Sequence, residues 1–136
     1  MRAVLDPNVI ISALLARRGT PAQLIRAWLD GAFELVVSAA LLAELERALA
    51  YPKLRTRVEA AEAAELITLL RRGAQWIDDP AGPPQSRSSD PGDDYLIALA
   101  AEANAVIVSG DGHLLALADD LPVYTPAQFR AMVEPQ

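Results

Sequence analysis

Ala3-Val4-Leu5-Asp6-Pro7-Asn8-Val9-Ile10-Ile11, near the start of the chain, is the stretch whose reading decides the fold. A short apolar run reads as a strand, an aspartate stops it, and a Val/Ile/Leu-rich segment from Asn8 to Leu15 follows as a buried helix. Pro7 biases the residue before it toward extended geometry, as the last position of a strand requires. The same grammar recurs near the other end. Ala105 to Val108 reads as a strand, and Ser109-Gly110-Asp111 brings an acid just past its carboxyl end.

Between these two stretches strand and helix alternate. Thr20-Pro21 reads as a cap followed by proline at the first helical position, and Gly31 reads as the stop of that helix. Phe33 to Val37 is a second strand. Ser38 caps a helix through Ala50, with Leu41, Leu42, Leu45 and Leu49 at helical spacing. Pro52 interrupts the pattern, and Lys53 to Arg57 reads as short or irregular. Glu59 to Arg72 is another helix with Gly73 as its stop, and Gln75 to Ile77 a third strand. Asp79 to Gly92, with four prolines, two glycines and three serines, is a loop. Asp93 opens a helix to about Ala103. After Ala105–Val108 come a short helix over Leu114–Leu117, a strand over Pro122–Tyr124, and a terminal helix started by Thr125-Pro126. This alternation implies right-handed crossovers and a parallel sheet covered by helices on both faces. Ligands of such sheets bind beyond the carboxyl ends of the strands.

The chain has 136 residues and is 52% hydrophobic, so it reads as one folded domain over 1–136 and not as a disordered segment. The absence of cysteine excludes a disulfide scaffold, a Cys-ligated metal site and a thiol nucleophile. No apolar run reaches membrane length without a charge, and the start lacks a signal-peptide core, so a cytoplasmic protein is expected. A net charge of −6 argues against a general basic coat for nucleic acid, while clustered metal-holding carboxylates would produce that sign.

Four acids stand at or near the expected functional edge: Asp6, Glu44, Asp93 and Asp111. Singly, Asp6 and Asp93 read as helix caps, Glu44 as a solvated helix residue and Asp111 as a turn residue. Brought together they would repel one another unless a cation compensates. Mg²⁺ or Mn²⁺ suits an all-oxygen donor set and keeps waters that a phosphate can displace. Affinity for a nucleic acid would then come from basic residues around the rim, with Arg17, Arg18, Lys53, Arg55 and Arg57 as candidates. A phospho-acceptor receiver domain is the competing doubly wound reading. It needs a lysine near the last strands, and the only lysine is Lys53.

Leu5-Asp6-Pro7-Asn8-Val9-Ile10-Ile11-Ser12-Ala13-Leu14-Leu15 resembles the opening of PIN domains, which typically read Asp-Thr-Asn there. Val37-Ser38-Ala39-Ala40-Leu41-Leu42-Ala43-Glu44-Leu45 is similar to their second acidic motif. Asp93 to Ala100 and Ile107-Val108-Ser109-Gly110-Asp111 are similar to the third and fourth. The bacterial PIN toxins of VapC-like toxin–antitoxin pairs are the subgroup it resembles most. The resemblance implies a three-layer α/β/α sandwich and a metal-dependent endoribonuclease with Asp6, Glu44, Asp93 and Asp111 as metal-holding catalytic acids. Asn8 would support the first Asp and Ser109 the fourth acid, with Asp90 and Asp94 as outer contributors. Pro7 departs from the usual Thr, and His113 stands where another acid is common. A cognate antitoxin, seated in a groove between the Asn8–Leu15 and Glu59–Arg72 helices, and a homodimer are likewise implied. The alternatives are a PIN-like interaction module with weakened catalysis and an RNA-processing nuclease that is not a toxin.

Overall fold

A computed structural model describes residues 1–81 and 91–134. Its strands are β1 (Arg2–Leu5), β2 (Glu34–Val37), β3 (Gln75–Trp76), β4 (Val106–Val108) and β5 (Val123–Tyr124). The helices are α1 (Pro7–Leu15), α2 (Thr20–Leu29), α3 (Ala39–Leu49), α4 (Pro52–Arg55), α5 (Ala60–Gly73), α6 (Asp94–Ala103), α7 (Gly112–Leu115) and α8 (Pro126–Val133). All strand pairings are parallel, in the order β3-β2-β1-β4-β5. This is the α/β architecture that the alternation implied.

The chain winds outward from β1 through β2 to β3 and then returns to the other side of β1 as β4. Right-handed connection puts the helices of the outward and returning crossovers on opposite faces of the sheet. α1 packs on α2 and α3, α2 packs on α8, and α6 lies against β1 and β4. β1 and β4 are therefore the neighbours at which the winding reverses, and the crevice beyond their carboxyl ends is the functional position of such sheets.

Apolar side chains on the strands supply the middle of the core: Val4, Leu5, Val36, Val37 and Val108 are fully shielded from water. α6 is buried nearly all round, through Leu96, Ile97, Leu99, Ala100 and Ala103, as a helix wedged between sheet and neighbours must be. Phe129 of α8 meets Phe33 edge to face, with centroids 5.0 Å apart, locking the last helix to the chain entering β2.

Most helix starts follow the sequence signals. Ser38 accepts from Leu41 N at 3.2 Å, and Thr125 with Gln128 forms a complete capping box. Thr20 departs from them, and α7 starts two residues before the expected Leu114. Thr20 is the first helical residue of α2, and Gly19 takes the cap position without a side-chain bond. Gly31, after α2, adopts φ 86°, the conformation for which glycine is the natural stop. The basic stretch after Pro52 makes a single helical turn, α4. No described helix is long and apolar enough to cross a membrane.

Candidate functional site

β1 ends opposite β4, with Leu5 paired to Val108, so the residues that follow emerge side by side. Asp6 N donates to Val108 O at 2.9 Å, extending the ladder one step past the strand. Pro7 then starts α1 at a position where its missing N–H is no loss. Asp6 is only 5% exposed. Its Oδ1 accepts from Asn8 N at 3.0 Å, and its Oδ2 accepts from the buried Ser109 hydroxyl at 2.8 Å. The same hydroxyl oxygen accepts from Asp111 N at 2.9 Å, so one side chain ties the ends of β1 and β4 together. Asp111 Oδ1 accepts from His113 N at 2.8 Å and caps α7. Burial pushes the Asp6 carboxyl above its ordinary range. The bonds from Asn8 and Ser109 oppose that shift, and the charges of Asp111 and Glu44 add to it.

Glu44 lies on the second turn of α3. That helix is pinned at its start by Ser38 and by Asp79 Oδ2, which accepts from Ala40 N at 3.0 Å. Leu41, Leu42 and Leu45 bury the inner stripe, leaving Glu44 half-buried at the margin. Against it stands Tyr95 of α6, whose hydroxyl is sealed from solvent and makes no hydrogen bond of ordinary geometry. Burial first, then the adjoining Glu44 carboxylate, then the charges of Asp6 and Asp93, push the Tyr95 phenol far up. Tyr95 thus marks the point where the fields of three candidate acids overlap. The motif comparison passed over it. Its signal is a single phenol between two acids and the aliphatic run Leu96–Ala101.

Asp93 closes a 3-10 turn over Pro91–Asp93 and takes the cap position of α6 without capping it through its side chain, while Asp94 is the first helical residue. Both are half-buried. Asp90 lies outside the described residues. Asn8 is exposed and reaches Asp6 through its backbone N–H. His113 is exposed, and its backbone N–H serves Asp111. Asp6, Ser109 and Asp111 are joined directly. Glu44 and Asp93 are linked to them through charge and through Tyr95. Among the described residues, no three acidic or histidine side chains close a ready-made metal cage. The oxygen-only set nonetheless fits a hard divalent ion that keeps part of its water shell.

The basic candidates stand elsewhere. Arg17 pairs with Glu62 of α5, and Arg55 Nε donates to Ala50 O at 3.3 Å. Lys53 and Arg57 are exposed beyond the C-terminal end of α3, and Arg18 is exposed after α1. A groove of about 270 Å³ runs between α1 and α5, with Leu14, Leu66 and Leu69 as its apolar wall and Glu62 and Glu65 at its side.

With this geometry in view, comparison with known proteins is decisive for the family. The PIN domain family model matches residues 2–113. The chain belongs to the PIN domain family. PIN domains are generally nucleases that use divalent metal ions. Among curated proteins no relative matches. Among solved structures, PAE2754 from Pyrobaculum aerophilum is similar with TM-score 0.66 and 15% identity, over 98% of this chain and 89% of that one. VapBC2 from Rickettsia felis, bound to a promoter DNA fragment, is similar with TM-score 0.60 and 16% identity, over 92% and 98%. A PilT N-terminus domain protein from Sulfolobus solfataricus P2 gives 0.58 and 15%, over 100% and 96%. At these identities the likeness establishes that this PIN domain shares their fold.

Proposed function

We propose that this PIN domain is an endoribonuclease that hydrolyses RNA phosphodiester bonds with Mg²⁺ or Mn²⁺ held by Asp6, Glu44, Asp93 and Asp111. The observation that carries this reading is the Asp6–Ser109–Asp111 linkage at the reversal of the sheet, with the Glu44 charge bearing on a nearly buried Asp6. The bound ion supplies an activated water and neutralises charge building on the phosphate. Ser109 fixes Asp6 Oδ2, favours its charged form against the burial that opposes it, and ties the Asp111 turn to the same hydroxyl. Tyr95, buried against Glu44, is placed to position that carboxylate among the other acids. Asp94, Asp90 and the exposed His113 serve as outer contributors. Arg17, Arg18, Lys53, Arg55 and Arg57 give weak attraction for the RNA backbone at a distance from the acids.

The toxin role in a toxin–antitoxin pair, a cognate antitoxin in the α1–α5 groove, a homodimer and a cytoplasmic location extend the same reading. The shared fold with VapBC2 and the apolar groove beside Leu14 and Leu66 support them. The test is cleavage of labelled RNA by purified protein, with loss on adding EDTA and in Asp6→Asn. Cleavage that survives both rejects the assignment.

A second reading, an interaction module with weakened catalysis, draws on the open spacing of the acids. Calorimetric titration with Mn²⁺ separates the two: heat that shrinks in Asp111→Asn supports the nuclease, and no heat at millimolar metal supports the module. A small upstream reading frame encoding a DNA-binding protein would favour the toxin over an RNA-processing nuclease.

A further inference from the structure

Beside the acids the fold leaves a cavity of about 360 Å³, within the usual range of about 300–1,000 Å³ for small-molecule sites. Asn8, Val9 and Ser12 of α1 form one wall, Pro21 and Pro126 another, and Gly110 with Asp111 the rim nearest the acids. The two half-buried proline rings offer apolar surface, over a buried Val9. The Asn8 side chain is exposed and carries two donors and an acceptor, since only its backbone N–H serves Asp6. Ser12 gives its hydroxyl proton to Asn8 O at 2.8 Å, leaving its oxygen lone pairs for an incoming donor. Gly110 has open space where a side chain would stand. No lysine or arginine lines the cavity, and its one charge is Asp111. A phosphate is repelled there. A neutral, planar group with hydrogen-bonding edges is favoured.

We propose that this cavity binds the nucleobase next to the phosphate that a cation on the neighbouring acids would draw in, with the ring against Pro21 and Pro126 and its edge read by Asn8 and Ser12. The position of that phosphate rests on the ribonuclease reading above. A base can enter only if it leaves its stack.

The test is a two-dimensional amide NMR titration of the full chain with each of the four ribonucleoside 5′-monophosphates, and with ribose 5-phosphate as the baseless control. The expected result is a saturable shift at Asn8, Ser12 and Gly110 with at least one nucleotide and none with the control. Ser12→Phe, which fills the cavity, should weaken that binding at least tenfold with an unchanged melting curve. Equal shifts from ribose 5-phosphate, no shifts from any nucleotide, or full affinity in a folded Ser12→Phe overturn the proposal. If Ser12→Phe does not fold, the exposed Asn8→Ala decides: a changed order among the four nucleotides supports it and identical affinities overturn it. RNA left intact by a protein whose cavity binds bases removes the nuclease reading alone. Cleavage without base-dependent shifts removes this one alone.

Discussion

The two ends of the same five strands are built on opposite electrostatic terms. At the amino end Arg2 Nε meets Glu34 Oε2 at 3.1 Å, and its Nη1 donates to Ala103 O at 3.1 Å. The Gln75 amide, oriented to suit both, donates to Glu34 at 2.8 Å and accepts from Arg2 at 3.2 Å. Opposite charges are matched there, in partial contact with water. At the carboxyl end like charges bear on one another: those of Glu44 and Asp111 on the buried Asp6, and those of Glu44, Asp6 and Asp93 on Tyr95. The strands could have been finished the same way at both ends. The difference separates a fold's ordinary closure from a place where negative charge is concentrated against its own stability.

Substitutions at the two ends should therefore behave as opposites, and the largest contrast is at Asp6. Asp6→Asn should lower RNA cleavage at least about 100-fold, since even outer-shell partners of a metal site cost about 10–100-fold. Its metal-free stability, relative to wild type, should rise with pH. The folded-state value of Asp6 is raised, so the fold favours the neutral form, and wild type loses stability as pH rises through that value. Thermal melts should show wild type losing stability relative to Asp6→Asn as pH rises from 4 to 8. A difference between the two that does not change with pH breaks the contrast.

Adding Mn²⁺ at about 100 times its Kd should stabilise wild type by about 2.7 kcal/mol, with little gain in Asp6→Asn. Ser109→Ala strips a buried acceptor of its donor and frees the Asp111 turn. It should cost about 1–3 kcal/mol in denaturant unfolding and about 10–100-fold in cleavage. Tyr95→Phe should keep the fold and lower cleavage by about tenfold with weaker Mn²⁺ binding, the low end expected for an outer partner. Unchanged cleavage would reduce Tyr95 to packing. Smallest is Arg2→Ala at the amino end, which should cost no more than about 1 kcal/mol and leave cleavage as it was.

Much of this was legible in residue order. The strand–helix alternation, the helix starts at Ser38 and Thr125, and the two acids emerging beside one another from β1 and β4 all follow from local signals. What stayed hidden depends on three-dimensional context. Thr20 carries the chemistry of a cap, yet the chain enters α2 one residue earlier, at Gly19. Asn8 reads as a side-chain supporter, but the tight turn into α1 turns its backbone N–H toward Asp6 and its amide toward solvent. Tyr95 sits at an ordinary helical position, and only the meeting of α6's first turn with α3 at the carboxyl edge of the sheet brings it to Glu44. Arg17 reads as free basic charge until α5 folds back and presents Glu62.

Asp6 and Asp111 each also secure the first turn of the helix behind them, each lending one oxygen to an N–H two residues on. Carboxylate and carboxamide are nearly interchangeable for that purpose, because either offers the oxygen a helix start requires. Only the anion can ligate a cation. Architecture and reactivity are thus separable at Asp111 by replacing one oxygen with nitrogen, whereas at Asp6 the same change also removes the oxygen that accepts from Ser109. Alanine at either position would instead loosen α1 or α7 and confound the two.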